Sequence, residues 1–144
     1  METNEELMGS WVLVHPDLGF DAVERQGQMG IITYADVEND EFFVGFGKAM
    51  GLYAGDSLFT LRSSNDIYGS MMANVKNLEK DHIKDILRIS MLVATNQPKD
   101  LKTAMEMAAK DEVVRSYSLI SLEDKLGQQL AVSADQQMSA GRGR

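Results

Sequence analysis

The densest chemistry in the 144-residue chain is the run Asp36-Val37-Glu38-Asn39-Asp40-Glu41. Carboxylates packed this closely hold hard cations through their oxygens. A calcium loop needs Asp-x-Asp-x-Asp-Gly spacing and a closing Glu, and this run has neither. It reads instead as the solvated tip of a hairpin, with four carboxylates at one end of a β element. Two histidines are present, His15 and His82. A catalytic base needs a partner and a cleft, and a metal site needs paired ligand spacing. His15 sits in His15-Pro16-Asp17, where its ring can bond the turn. His82 follows Asp81 on what reads as an exposed helical turn. Ser57, Ser118 and Ser121 lack the Gly-x-Ser-x-Gly setting of a nucleophile. The glycines at 45, 47, 51 and 55 lack the following Lys-Ser/Thr of a phosphate loop and the pattern of a dinucleotide turn. With no cysteine, disulfides, thiolate metal sites and a Cys nucleophile are excluded. The expectation is a non-enzymatic protein with no cofactor and no metal.

Charge is distributed unevenly. Residues 1–63 hold eleven acids and three bases (Arg25, Lys48, Arg62), a net −8; residues 64–144 hold eleven of each. The whole formal charge of −8 therefore lies on the first part. Such a surface repels phosphate backbones and suits a basic partner. The N-terminus METNEELMGS has neither the basic nor the apolar region of a signal peptide, and no run is long enough to span a membrane. Cytoplasmic residence is expected.

These residues need elements to hold them. In residues 9–17 Val12 and Val14 alternate with Trp11 and Leu13. Residues 29–35 are β-branched and aromatic. Residues 41–47 put Phe42, Val44 and Phe46 on one face, and residues 51–61 supply a last pair of short strands. Beyond residue 63 the period changes. Ser63–Asp66 offers cap side chains for a helix that follows. Residues 79–95 carry Ile83, Ile86, Leu87, Ser90 and Ala94 on one stripe. Ile89, Leu92 and Val93 make the end apolar nearly all round, so that end is expected to be buried. Pro98 suits a first helical turn. Residues 99–110 repeat Leu101, Ala104, Met105 and Ala108 at helical spacing, and residues 111–130 read as helical again, with Ser121 and Asp124 placed as a capping box. Residues 133–144 read as a disordered tail.

Gly30-Ile31-Ile32, Val44-Gly45-Phe46, Gly51 and Asp56-Ser57-Leu58 together resemble the small SH3-like barrels of the Tudor and KOW type. The resemblance covers residues 1–63 at the level of fold. It implies an acidic SH3-like antiparallel barrel over residues 1–63; with the helical spacing that follows, the expectation is an α+β protein whose barrel is followed by three or four helices over residues 64–132, packed on the barrel or on a partner. Members of that superfold that read methylated side chains close an aromatic cage with an acid. The matching aromatics here are Trp11, Tyr34, Phe42, Phe43, Phe46 and Tyr53. A barrel this small also needs Phe42, Phe46 and Tyr34 for its core. Trp11 is out of phase with Val12 and Val14, so it faces outward or toward the helices. The expected partner-binding residues are Trp11, Asp36, Glu38, Asp40, Glu41 and Tyr53. The expected function is a protein–protein adaptor meeting a basic partner, with self-association through apolar helices as a further option. The alternative is a nucleic-acid regulator that uses the barrel or the helix pair around Asn96-Gln97-Pro98, for which Lys76, Lys80, Lys84, Arg88, Lys99 and Lys102 would have to gather on one face.

Overall fold

The computed structural model describes residues 2–128, so the expected tail at 133–144, with Gly141-Arg142-Gly143-Arg144, lies outside the described residues. The alternating segments of the first half form β1 (Trp11–Val14), β2 (Met29–Asp36), β3 (Glu41–Phe46), β4 (Ala49–Tyr53) and β5 (Leu58–Leu61), with a 3₁₀ turn at Gly55–Ser57 before β5. A sixth strand, β6 (Leu119–Ser121), comes from the second half. The sheet is antiparallel and runs β4-β3-β2-β1-β5-β6. Its two ends, β4 and β6, do not pair, so the expected closed barrel is instead an open six-stranded sheet. The chain is α+β, as its two kinds of periodicity imply.

Five helices carry their own capping signals or docking contacts. The first, α1 (Glu2–Leu7), was not expected. Tertiary contacts hold it: Leu7 packs on the sheet and the Val37 N–H donates to Asn4 Oδ1 at 3.0 Å. Helix α2 (Ser64–Ala73) starts where Ser63 Oγ accepts from the Asp66 N–H at 3.2 Å. Helix α3 (Lys80–Thr95) ends at Asn96, whose φ of 54° is the left-handed cap conformation. Helix α4 (Pro98–Lys110) opens on its proline, and α5 (Glu112–Ser118) on Asp111, which accepts from the Val114 N–H at 3.0 Å.

The expected continuous helix over 111–130 is interrupted by β6. Leu119, Ile120 and Ser121 pair with Leu61, Thr60 and Phe59 of β5. Leu119 and Ile120 are both buried though adjacent, a pattern that suits a strand between two layers better than one helical stripe. Ser121 then restarts the helix, accepting from the Asp124 N–H at 3.1 Å, and residues 122–128 form α6.

The sheet separates two cores. One gathers Val12, Val14, Ile32, Phe42, Val44, Tyr53 and Leu58 with Leu122 and Leu126 of α6. On the other face Leu13 meets Ile67, Met71, Ile86, Ile89, Met105 and Val114 of helices α2–α5. Strand β1 is thus enclosed on both sides, which is why its four residues are all apolar. The end of α3 departs from expectation. Ile86, Ile89 and Ser90 are buried, but Met91 is 63% exposed and Ala94 is exposed too. The helix has neighbours on one side only, and the apolar residues on its far side face solvent.

Candidate functional site

The helices cover only part of the second sheet face. Trp11, Met29, Phe59 and Leu61 pack toward them. The part made by β2, β3 and β4 is uncovered. Across these strands Tyr34 pairs with Phe43, Phe43 with Leu52 and Gly45 with Met50, so their side chains share one face. Tyr34, Met50 and Leu52 are each more than half exposed. The Tyr34 and Phe43 rings meet edge to face, their centroids 6.0 Å apart. Tyr34 reaches this face through a bulge: the β2–β3 register shifts between Ile32 and Tyr34, so Thr33 and Tyr34 are both exposed while Ile32 and Ala35 stay inside. Tyr34 is therefore outside the core, to which the small size of the expected barrel had assigned it. Phe42 is in the core, and Phe46 is partly buried against it.

Phe20 enlarges the uncovered face. It is 80% exposed in the loop between β1 and β2, and it shares with Met50 and Leu52 a cavity of about 220 Å³ along the edge strand β4. Five large apolar side chains (Phe20, Tyr34, Phe43, Met50, Leu52) thus lie on or beside one surface. Scattered exposed hydrophobes need no explanation, but a contiguous group marks a contact surface.

One end of this face is acidic. Asp36 and Glu41 pair across β2 and β3, and Glu38 and Asp40 lie in the connecting turn. Asp36 is engaged locally, accepting from Asn39 N at 3.3 Å and Asn39 Nδ2 at 2.7 Å. Asp40 holds the turn, with φ at 54° and Oδ1 accepting from the Gly55 N–H at 2.8 Å. Glu38 and Glu41 are exposed. Among the described residues the only acid–base pair at ion-pair distance is His82 Nε2 with Asp111 Oδ2, 3.2 Å apart, so the carboxylates of this hairpin have no Lys or Arg counter-charge.

The expected set is divided by the fold. Asp36, Glu38, Asp40 and Glu41 stay together. Trp11 lies farther back, paired with Ile31 and packed toward the helices, with Lys102 Nζ 5.4 Å from its ring centroid. Tyr53 is 5% exposed, and its hydroxyl donates to Asp21 Oδ2 at 2.7 Å. The aromatics therefore do not converge on a cage: Tyr53 and Phe42 are inside, and Tyr34 and Phe43 are on the opposite face.

Asp21 was missed, since nothing in Leu18-Gly19-Phe20-Asp21 marks a buried acid. Burial alone would raise its pKa. The Tyr53 hydroxyl and the N–H groups of Val23, Arg25 and Glu24 outweigh this and hold it below the usual carboxylate value. Burial, and then the neighbouring Asp21 carboxylate, pushes the Tyr53 phenol well above its ordinary range. This paired acid organises a loop and is not a poised base. His82 is less exposed than its sequence position implied, and its partner Asp111 is held low by the Val114 N–H. His15 Nδ1 accepts from the Asp17 N–H at 3.0 Å, the turn contact its sequence implied.

Of the bases in the nucleic-acid alternative, Lys76 lies in a separate 3₁₀ turn, so it does not continue the α3 row of Lys80 and Lys84. Exposed Asp81 and Asp85 interleave with that row. Among the described residues no group of three or more His, Asp or Glu is placed to hold a metal ion, and no helix is long and apolar enough to cross a membrane. No protein-family model, curated protein or solved structure matches the chain.

Proposed function

We propose that the chain is a non-enzymatic protein-binding module whose contact surface is the uncovered β2–β3–β4 face with its acidic hairpin end. The observation that carries this is the adjacency of exposed Tyr34, Met50 and Leu52 to uncompensated Asp36, Glu38, Asp40 and Glu41. An apolar centre contributes affinity by burial, and a charged rim contributes encounter rate and orientation. The partner is accordingly a protein segment with large apolar side chains flanked by Lys or Arg. The SH3-like reading of residues 1–63 is supported by the return of β5 to β1 after a 3₁₀ turn, which brings the ends of the meander together.

Two variant sets test the reading. Asp36→Asn/Glu38→Gln/Asp40→Asn/Glu41→Gln removes the charge and keeps acceptors in the turn. Tyr34→Ala/Leu52→Ala trims the apolar centre. Partners recovered from the protein's own source at low salt are expected to be lost by both sets, and by the native chain as salt rises. Recovery that is unchanged in the charge variant and indifferent to salt refutes the electrostatic part. Recovery unchanged in the second set refutes the surface assignment.

A further inference from the structure

Where the start of β1 and the end of β5 meet α3 and α4, a crevice of about 330 Å³ opens. Its walls include Trp11, Leu61, Val93 and Leu101, which are apolar, and the cations Arg62 and Lys125; among the described residues no Asp or Glu lines it. That is unusual in a chain with a net charge of −8. The two cations are fixed from behind. Arg62 Nε donates to the Leu119 carbonyl at 3.0 Å, and Lys125 Nζ to the Leu61 carbonyl at 3.2 Å. Both anchors are backbone oxygens of the β5–β6 pair, Leu119 of β6 for Arg62 and Leu61 of β5 for Lys125.

Among the described residues no carboxylate lies at ion-pair distance from either group. Burial is the main cause that lowers the Lys125 pKa; the Asp66 carboxylate, beyond ion-pair distance, opposes it, and the Arg62 charge adds a smaller push downward. Two like charges kept together at a partly dry, apolar crevice are destabilising unless an anion joins them. The remaining guanidinium N–H groups of Arg62 have the planar geometry that pairs with a carboxylate. Lys102, which does not line the crevice, has its Nζ 5.4 Å from the centroid of the Trp11 ring. The volume falls at the lower end of the range for small-molecule sites, whose usual form is an apolar wall with a few polar groups fixing orientation.

We infer that this crevice binds a small monocarboxylate with an apolar chain. The carboxylate meets Arg62 and Lys125, and the chain lies against Trp11, Leu61, Val93 and Leu101. The site is separate from the protein-binding face, and neither assignment depends on the other.

Trp11 is the only tryptophan in the chain, so its emission reports on the crevice directly. The full chain is titrated with octanoate, octanol and octylammonium, which share a chain and differ in charge. Octanoate is expected to shift Trp11 emission saturably, to bind at least about tenfold more tightly than octanol, and to weaken as salt rises. Octylammonium is expected to leave the emission unchanged. Arg62→Gln and Lys125→Gln should each weaken octanoate about tenfold, with native circular dichroism confirming the fold. Equal binding of all three probes, or no response to octanoate, overturns the assignment. So does undiminished octanoate binding by a folded Lys125→Gln variant. The three-probe comparison on the native chain decides the charge preference even if a variant fails to fold.

Discussion

Tyr53→Phe isolates one atom. The lost hydroxyl donates to Asp21 at 2.7 Å in a buried setting, and Asp21 is 8% exposed. A hydrogen bond to a charged acceptor contributes about 1.5–3 kcal/mol net. The carboxylate keeps the N–H groups of Val23 and Arg25, each at 3.0 Å, so it is not orphaned. The lower half of that range, about 2 kcal/mol, is therefore expected. For a chain of this length that lowers Tm by roughly 6–8 °C. The pH dependence has a definite sign. Asp21 is depressed in the folded protein, so its contribution is complete above the unfolded carboxylate value near 3.8 and is lost as pH falls through the folded value below it. The gap between native and Tyr53→Phe melts is thus constant near neutrality and narrows in acid. In an Asp21→Asn background the Tyr53→Phe loss should fall to about half or less, because the charge that strengthens the bond is gone. Thermal melts of all four proteins between neutral and acid pH make the measurement. A native-like Tm for Tyr53→Phe, or an undiminished loss in the Asp21→Asn background, refutes the pair as an anchor.

Other expectations concern single residues. At high pH the unfolded chain gives up the Tyr53 proton near 10, while the folded chain retains it, so stability present below pH 10 declines above it; denaturant melts across that range show the slope, and Tyr53→Phe should reduce it. Gly30→Ala places a Cβ 2.8 Å from the Gly45 carbonyl oxygen and 2.5 Å from Val44 Cγ1, and a loss of about 2–3 kcal/mol is expected in chemical denaturation. Ser118 is fully buried, and among the described residues its Oγ has no hydrogen-bond partner, so Ser118→Ala should raise stability by about 1 kcal/mol; a lower melting midpoint would show that the hydroxyl has a partner. Ser63→Ala removes the α2 cap and should cost about 1 kcal/mol in the same assay, and Ser63→Asp should restore most of it.

Local signals in this sequence were readable where one force decided the outcome. Alternation placed β1 through β5, and Ser63, Pro98 and Ser121 marked helix starts that the structure contains. The failures have a common cause, since tertiary contacts override local pattern. Leu119, Ile120 and Ser121 become a strand because β5 has an open edge there, which helical periodicity does not reveal. One bulge residue in β2 reverses the side on which Tyr34 emerges, although its aromatic character had suggested the core. Of the candidate site, the acidic tip was legible because four carboxylates in six residues have nowhere to go but solvent. The apolar face beside it was not. Phe43, Met50 and Leu52 look like core residues until the helices are seen to cover only one part of the sheet. The Asp21–Tyr53 pair spans 32 positions and leaves no periodic trace.

The placement of α6 bears on how the chain is made. Leu122 and Leu126 complete the core around Phe42 and Val44, and β6 supplies the last rung beside β5. During synthesis the first five strands emerge without these pieces, with the open edge of β5 and an unfilled apolar layer presented to the surroundings. Neither layer can close until nearly the whole described chain has left the ribosome. Such long-range pairing is slow and leaves sticky intermediates. A product that ends before Leu122 therefore lacks the residues that complete the core around Phe42 and Val44, and such products become work for chaperones and proteases.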